Sequence, residues 1–585
     1  MLDFIGSGYK LIIISVCASL FVLSGLLLYR FVYPKKNINF FTLLLLLSLL
    51  PIISIFRPGL YESGDFNIHI YRSMEFYKSL TEGHVMPSWA GDLNATYGYP
   101  LFIFNYTLPY YFVCLLHFLG FSFVLSMKLF LSINFLFSAI FMYFASKKLF
   151  KNEAGAFVST IFYQFAPYHL VDLNFKVAFG EIMVFTMLPI VFLLLQKLWE
   201  KRNILFLALS SLSGALLIMS HSITAFLIID LFVVYGAFLS IAKRDKFFFF
   251  STILAFVLSS LSSLYLWLGP FYMNQYTITT KMNVAKNSLG MDIWEMLYSP
   301  WRFGLLFQGP KGEINTPLGY AHIFIVVVLV AFLYKKKSIS KNKYHLFFWL
   351  GTFFAVAFLA SIYSSFLWSQ IKIPILLTLP ERMPILIVFI LSILAGFFAL
   401  NFLKKKILLW IIVGFTIFST ILNWGHRRVI STMGEQNLIE SLPKSTMDVE
   451  AHWYANSKWR DVSDPWYRYI PDRHIEIMKG KGELKDLERK TTLHSYVVLA
   501  LTNLEIRENT LYFPGWQTSV DERLVVTKPD KDGVITFSVP KGLHFVKVEY
   551  KDIPLYKYSK IVSSIFLLIL ILASCQSFLK RKKQY

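Results

Sequence analysis

Residues 38–72, INFFTLLLLLSLLPIISIFRPGLYESGDFNIHIYR, begin with an apolar run and end with a segment rich in charged side chains. Residues 38–56 are apolar and come close to the roughly 20 residues that a helix needs to cross a bilayer. Directly after them, Asp65, His69 and Arg72 stand at positions i, i+4 and i+7, so a helix would carry all three side chains on one side. This junction predicts a membrane helix that leads into a polar helix at the membrane boundary.

The composition extends this interpretation to the whole chain. Of its 585 residues, 56% are hydrophobic and 18% are aromatic, and the mean hydropathy is +0.55. Soluble globular proteins are less apolar than this, so we expect a polytopic α-helical membrane protein with about 13 transmembrane helices. The apolar runs lie at residues 11–33, 38–56, 124–146, 154–171, 181–196, 204–220, 222–241, 247–268, 321–334, 346–363, 384–402, 407–423 and 561–579.

The formal net charge of +22 does not indicate a nucleic-acid partner. Between Trp424 and Lys557, about twenty basic residues are balanced by about nineteen acidic ones, so the large polar region is almost neutral. The surplus lies in short basic clusters between apolar runs, such as KKLFKN at 147–152 and AKRDK at 242–246. Because basic residues mark cytoplasmic loops, the pattern predicts a multi-pass membrane protein whose other connections face outward.

This topology divides the chain into three parts. Residues 1–423 are the predicted transmembrane domain, with a first extracytoplasmic loop and interfacial helices at 57–123. Residues 424–560 form an extracytoplasmic domain in which VITFSV and LHFVKVEY alternate with period two, which predicts a small β sandwich or jelly roll. Residues 561–585 are a last membrane helix with a basic cytoplasmic tail. Residues 98–120 could span, but a crossing there would place KKLFKN outside, so we favour an interfacial or re-entrant helix over two ordinary helices.

The first outward loop holds the first candidate site. Ionisable groups at a membrane boundary are costly unless they are paired or face water, which makes them functional candidates. Asp65 could be a general base or ligate a divalent ion such as Mg²⁺ or Mn²⁺, while His69 and Arg72 could orient a substrate or bind phosphate. A solvated amphipathic helix is the alternative. Further along, Trp89 and Asp92 would suit contact with a sugar or a headgroup, and ordinary turn chemistry explains them equally well.

Other candidates lie in later outward turns. Asp172, Lys176 and Glu181 crowd one short connection, where an acid favoured by a helix dipole is the plainer explanation for Glu181. His221 is either a site residue or a hydrogen-bonded core histidine. Arg382 starts a helix and could hold a lipid phosphate, or it could pair with the adjacent acid in LPERMP.

The sequence offers no nucleotide or metal motif. Cys17, Cys114 and Cys575 lie in apolar surroundings, so neither a disulfide framework nor a CxxC metal site is predicted. No GxxxxGK[ST], GxGxxG, HExxH or GxSxG pattern stands in a supporting context. An enzyme that works on the outer face without cytosolic nucleotide would need a membrane-borne activated donor, such as a polyprenyl-phosphate-linked sugar.

Several stretches together resemble a known family. These are SGDFNIHIYR, PSWAGDLNATYGYP and PYHLVDLNFKVAFGE in their order along the chain, with LYFPGWQTSVDER and SVPKGLHFVKVEY near the end. They resemble the bacterial integral membrane family described as 6-pyruvoyl-tetrahydropterin synthase-related, which is similar to GT-C glycosyltransferases. The similarity covers about residues 50–400. Nothing in the chain resembles the soluble pterin fold or its zinc-binding histidines.

The resemblance implies roles for particular residues. GT-C enzymes carry a catalytic acid in the first outward loop, which corresponds here to Asp65, and transfer a sugar from a lipid phosphate. By the same comparison His69 and Glu181 are catalytic candidates, while His221 and Arg382 are substrate-binding ones. The chain departs from the family pattern in two places: Lys176 stands where an arginine commonly precedes the glutamate, and Glu381 stands where an aromatic residue precedes the arginine.

Three functions are consistent with these residues. The leading hypothesis is a GT-C glycosyltransferase that moves a sugar from a polyprenyl-phosphate donor to a glycan acceptor of the cell envelope. The first alternative is a transporter or flippase of lipid-linked saccharide, in which the charged residues line a path. The second is a non-catalytic assembly protein that holds an envelope partner through its β-rich domain.

Overall fold

The computed structural model describes most of the chain with side chains. The described residues are 7–33, 36, 39–57, 59–61, 63–281, 290–297, 318–334, 343–370, 379–403, 405–424, 429–430, 435–441, 455–461, 467 and 469–582. All but the last residue of the predicted basic cluster at 335–343, and much of the predicted outer loop at 269–320, lie outside them. All statements below concern the described residues.

Helices make up the first three quarters of the described chain. The helices before residue 300 are α1 (Ser7–Val32), α2 (Phe40–Leu49), α3 (Phe66–Thr81), α4 (Leu101–Phe104), α5 (Leu108–Phe118), α6 (Phe123–Phe150), α7 (Glu153–Gln164), α8 (Pro167–Val171), α9 (Phe179–Lys201), α10 (Ile204–Ser220), α11 (Ser222–Lys243), α12 (Phe247–Ser262), α13 (Leu268–Met273) and α14 (Ile293–Leu297). The later helices are α15 (Tyr320–Tyr334), α16 (Lys343–Ala360), α17 (Ser365–Trp368), α18 (Leu379–Arg382), α19 (Pro384–Phe402), α20 (Lys406–Phe418), α21 (Glu435–Ser441) and α22 (Pro554–Lys582).

Each of the thirteen predicted apolar runs coincides with helix in the structure. In the described part of the chain, five helices are long and apolar enough to cross a membrane, and a sixth span results if a pair bent by 74° after Ser262 counts as one. Shorter apolar helices of 10–17 residues accompany them. The protein is therefore a multi-helix membrane protein, while the number of 13 crossings stays a prediction.

Polar turns explain where the long helices end and begin. Lys151, Arg202 and Arg244 follow α6, α9 and α11 in the left-handed conformation, with φ of 52°, 48° and 53°, which ends each helix. The side chains of Asn152 and Asn203 then accept backbone N–H groups at 2.8 and 3.1 Å and cap the next helix. Tight helical hairpins result, with their basic turns at one end of the bundle.

Exposed ion pairs connect these basic turns. Lys148, at the end of α6, pairs with Glu200 at the end of α9. Arg202 pairs with Asp245, which lies in the turn after α11. The predicted cytoplasmic clusters around residues 147–152, 197–203 and 242–246 therefore lie on the same side of the bundle, as the charge pattern requires.

The apolar stretch at 98–120 is broken. Helix α4 has four residues and α5 has eleven, and Asn105 to Thr107 separate them. At 1.5 Å per residue, α5 is about 16 Å long, roughly half of a hydrocarbon core of about 30 Å. Neither helix can span alone, which agrees with the interfacial or re-entrant interpretation.

Two antiparallel sheets form the C-terminal β region. The strands are β3 (Ile475–Lys479), β4 (Gly482–Lys490), β5 (Leu493–Ala500), β6 (Leu504–Leu511), β7 (Trp516–Val520), β8 (Arg523–Val525), β9 (Lys528–Pro529), β10 (Val534–Val539) and β11 (Gly542–Tyr550), while β1 (Leu60–Tyr61) and β2 (Val429–Ile430) pair separately. The sheet orders are β3-β6-β10-β9 and β4-β5-β11-β7-β8. Period two is visible in β11, where Val546 and Val548 are fully buried. A sandwich or jelly-roll arrangement stays a prediction.

The β region packs on the loop between α3 and α4. Trp89 lies edge-on to Trp516, with ring centroids 5.3 Å apart, and the ring of Tyr97 stacks on Tyr467 at 3.7 Å. The N–H of Leu511 donates to the carbonyl of Tyr97 at 2.9 Å. Aromatic packing and backbone hydrogen bonds therefore hold the β region to the first predicted outward loop.

Candidate active site

A backbone contact places Asp65 beside the turn before α9. That turn is a π-helical segment, Asp172–Lys176. The N–H of Gly64 donates to the carbonyl of Phe175 at 2.8 Å, and the N–H of Asp65 donates to the carbonyl of Lys176 at 2.9 Å. A Cβ on Gly64 would lie 3.0 Å from the Lys176 carbonyl oxygen, so glycine allows this close approach. Residues about 110 positions apart are thereby fixed side by side.

The carboxylate of Asp65 is available because another side chain caps helix α3. Asp65 occupies the N-cap of α3, where an aspartate normally accepts a hydrogen bond from the first turn, yet its side chain makes no capping hydrogen bond. The Ser63 hydroxyl accepts the N–H of Phe66 at 3.1 Å instead. The Asp65 side chain remains partly exposed. The carboxylate is therefore not consumed in holding the helix.

Glu181 is the centre of the charged cluster. Its side chain is only 1% exposed and pairs with Arg382. The Tyr168 hydroxyl donates to Glu181 Oε2 at 2.6 Å, and Lys176 Nζ lies 3.4 Å from both carboxylate oxygens. Two cations and a hydroxyl satisfy this buried charge, which would otherwise be strongly unfavourable.

Arg382 joins this cluster rather than its neighbour in sequence. The alternative pairing of Arg382 with the adjacent Glu381 is not seen: Glu381 is exposed and Arg382 reaches Glu181. The cations nevertheless keep 26% (Arg382) and 25% (Lys176) of their side chains exposed. The cluster therefore presents positive charge at its surface and negative charge beneath it.

Burial shifts the protonation of both aspartates. Burial raises the pKa of Asp65 above the ordinary 3.8, while the positive charges of Arg72, Lys176 and Arg382 partly oppose the shift. Burial also raises the pKa of Asp172 well above that value, since Lys176, with Nζ 3.6 Å from Oδ1, compensates only in part. Asp65 becomes a stronger proton acceptor than a surface aspartate, and Asp172 favours its neutral form.

His69 and Arg72 lie inside the protein, 3% and 1% exposed. This burial excludes the alternative of a solvated amphipathic helix. His69 Nδ1 lies 3.0 Å from the Tyr110 hydroxyl and its ring stacks on Phe179. Burial, with Arg72 nearby, lowers the pKa of His69 well below its usual value. The catalytic role of His69 stays a prediction, and its burial favours positioning of α3 over contact with substrate.

His221 lies at the turn between α10 and α11, on the edge of the cluster. Its Nδ1 accepts the N–H of Thr224 and caps α11. The Tyr106 ring lies 5.4 Å from it between centroids, and a Cβ on Gly180 would lie 2.7 Å from that tyrosine ring. Tyr106 and Tyr168 are site residues that the sequence did not single out, because nothing distinguishes them from many other aromatic residues.

Trp89 and Asp92 lie away from the cluster. Trp89 is 1% exposed and is enclosed by Trp516 and Tyr550. Its burial corrects the prediction that this ring contacts a sugar, because no face of it remains open. Asp92 Oδ2 pairs with Lys78 at 2.6 Å, and both side chains are about one-third exposed. Asp92 therefore stays partly open to solvent beside Lys78.

The Mg²⁺ or Mn²⁺ ion considered from the sequence stays a prediction. Among the described residues, no group of three or more His, Cys, Asp and Glu side chains is placed to hold a metal ion. The charges that act on Asp65 include those of Arg72, Lys176 and Arg382, which repel a cation.

The cluster lies opposite the basic turns. Glu181 and Glu200 stand near the two ends of α9, nineteen residues apart, which corresponds to about 29 Å at 1.5 Å per residue. This length matches a hydrocarbon core of about 30 Å. The charged cluster and the basic end of the bundle are therefore separated by one membrane thickness.

These features define a multi-helix membrane protein with a mixed-charge cluster at one membrane face. Residues 104–426, more than half of the chain, match the family model "6-pyruvoyl-tetrahydropterin synthase related domain; membrane protein", and the chain belongs to this family. It is also similar to an uncharacterized protein of Lactococcus lactis subsp. cremoris (strain MG1363), 23% identical over 217 residues that cover 36% of this chain. The match spans only 35% of that relative.

Two solved structures are similar at low identity. The mycobacterial arabinofuranosyltransferase AftD is 14% identical with a TM-score of 0.43, over 66% of this chain and 27% of that chain. The Archaeoglobus fulgidus oligosaccharyltransferase, in its apo form, is 9% identical with a TM-score of 0.42, over 74% of this chain and 60% of that chain.

Proposed function

We propose that this protein is a membrane glycosyltransferase of GT-C type, which transfers a sugar from a polyprenyl-phosphate donor to a glycan acceptor of the cell envelope. The observation that carries the proposal is that the Asp65 carboxylate is available beside positive charge. Its carboxylate is partly exposed and free of capping duty, and its backbone is fixed to the residue that bears a cluster cation. A base next to positive charge is what glycosyl transfer from a phosphate requires.

In the proposed step, Asp65 accepts the proton of an acceptor hydroxyl. The hydroxyl oxygen forms the new bond to the anomeric carbon, and the bond from that carbon to the phosphate oxygen breaks. The electron pair leaves with the lipid phosphate, so negative charge grows on that group. The raised pKa of Asp65 suits this role, because a base works best when its pKa is near the working pH.

The cations supply the other half of the step. Arg382 and Lys176 hold their exposed surfaces near Asp65 while Glu181 anchors them from the buried side. Charges fixed in advance stabilise a leaving phosphate without reorganisation during the reaction. We therefore assign phosphate stabilisation to Arg382 and Lys176, and positioning of both to Glu181. Asp172 lies beside Lys176, and His221 lies close enough to Glu181 to affect its charge.

The site faces outward in this proposal. The basic turns lie about one membrane thickness from the cluster, and the positive-inside rule puts such turns in the cytoplasm. The β region, which packs on the loop after α3, then belongs to the same outer face. This arrangement supports the plasma membrane as the location, the three-part division at residues 423 and 560, and a polyprenyl donor that diffuses within the bilayer.

Proteoliposomes test transfer against transport. The protein is reconstituted with a labelled polyprenyl-phosphate sugar and an envelope glycan acceptor, and the product is analysed by mass spectrometry. We expect label in a new glycosidic bond. Movement of intact lipid-linked sugar between leaflets without a new bond would instead identify a transporter. If neither transfer nor movement is observed, the result favours an assembly protein.

A further inference from the structure

A second polar site lies where the first loop, the β region and the last helix meet. A cavity of about 370 Å³ opens there, at the lower end of the range for ligand pockets, about 300–1,000 Å³. Its lining includes His84, Val85, Ser88, Thr492, Asp552 and Lys560. None of these residues belongs to the charged cluster around Glu181.

Among the described residues, the one lysine of this cavity is already paired. Lys560 Nζ donates to the Met86 carbonyl at 2.8 Å, to the Ser88 hydroxyl at 2.7 Å and to Asp552 Oδ2 at 2.7 Å. An ammonium group has three donors, so Lys560 has none left for a phosphate or carboxylate. Its charge is balanced by Asp552, and the pair is neutral overall.

The cavity can both accept and donate hydrogen bonds, since the hydroxyl of Tyr550 in its lining has no partner among the described residues. Asp552 receives one bond from Lys560 and one from Ser88 at 2.8 Å, although a carboxylate offers about four lone-pair sites. Thr492 Oγ1 and His84 Nε2 are 2.8 Å apart, and apolar atoms of Val85 complete the lining. A ligand that is neutral, rich in hydroxyl donors and apolar on one face fits such a lining, and sugars have this chemistry.

Helix α3 relates this cavity to Asp65. Asp65 precedes the helix, and Ser79, near its other end, lines the cavity. Fourteen residues at 1.5 Å per residue separate the two by about 21 Å. One sugar cannot bridge that distance, but an oligosaccharide can.

We propose that this cavity binds a sugar unit of the acceptor glycan, several units away from the one that reacts at Asp65. The inference rests on the proposed function for the identity of the acceptor, and it makes that acceptor an oligosaccharide. The cavity then selects acceptors by length, because only a chain that reaches both ends of α3 gains both sets of contacts.

A blocked cavity tests the proposal. Val85 is 73% exposed, so Val85→Trp fills the cavity without disturbing a core, and Val526→Trp, at a position 69% exposed in the β region, is the matched control. The full-length proteins in lipid nanodiscs are mixed with neutral oligosaccharides released from the envelope of the source cells and separated by length. Native mass spectrometry measures the bound fraction.

We expect the wild type and Val526→Trp to bind oligosaccharides of several units, and Val85→Trp to lose at least tenfold in affinity. Thr492→Val should weaken binding in the same direction. Equal binding by Val85→Trp and the wild type, or no oligosaccharide bound by the wild type, would overturn the proposal. Binding by a wild type that never transfers sugar would contradict the proposed function while it supports the cavity as a sugar site.

Discussion

Glu181 and Arg382, 201 residues apart in the chain, form an ion pair at the membrane face where Asp65 lies. Lys176 and Tyr168 approach the same carboxylate, so one buried acid fixes three polar groups from separate segments. The pair therefore joins the start of α9 to the end of α18 and orients the cations that the proposed reaction uses.

Loss of the Glu181 charge should destabilise the protein strongly. Glu181→Gln leaves Arg382 and Lys176 without their shared anion, and breaking a buried pair costs about 3–5 kcal/mol. Glu200→Gln is the control, because Glu200 lies on the same helix and pairs with Lys148 while 51% exposed. Exposed pairs contribute about 0–1 kcal/mol. Thermal unfolding in nanodiscs checks the difference, and equal melting temperatures for the two variants would contradict the account.

The pH dependence of transfer should report on Asp65. The base acts only when ionised, so activity rises as pH increases through its pKa, which burial raises and Lys176 partly lowers. Lys176→Met removes a lowering charge, and the acid limb of kcat/KM should move to higher pH. Lys147→Met, at the opposite end of the bundle, should leave the limb in place. A limb that stays fixed or moves to lower pH in Lys176→Met would remove Asp65 as the titrating base.

The docking of the β region should depend on Trp89. Trp89→Ala empties a site enclosed by Trp516 and Tyr550, and a buried Trp→Ala change costs about 3–5 kcal/mol. We expect the variant to expose the loop and the β region to proteolysis. Trp294→Ala, at a position 72% exposed, is the matched control and should behave like the wild type. Limited proteolysis with mass mapping of the fragments measures this, and an unchanged digestion pattern for Trp89→Ala would refute the docking role.

The sequence predicted the helices well because hydropathy acts locally. Each apolar run became helix, and the basic turns came together as the charge pattern required. The sequence also identified Asp65, Lys176, Glu181 and Arg382 as candidates, since ionisable groups at a membrane boundary are rare. The structure shows that these four residues lie in one neighbourhood.

Tertiary contacts account for what the sequence could not supply. Trp89 looked like a surface ring because its neighbours Trp516 and Tyr550 lie more than 400 residues away. The sequence offered Glu381 as a partner of Arg382. The arginine pairs with Glu181 instead, which is buried, and the attraction between opposite charges is stronger away from water. The release of Asp65 from capping depends on the Ser63 hydroxyl, and the sequence offers both Ser63 and Asp65 as caps without deciding between them.

The most direct test of the central claim is to measure the rate of sugar transfer by Asp65→Asn, with Asp472→Asn as the control variant. The asparagine keeps the size of the Asp65 side chain and cannot take a proton, while Asp472 is an exposed residue of the β region. General-base catalysis contributes about 10²–10⁴ in rate, so Asp65→Asn should lose at least a hundredfold in kcat, with Asp472→Asn unchanged and both proteins equally stable. Transfer by Asp65→Asn at the wild-type rate would contradict the central claim.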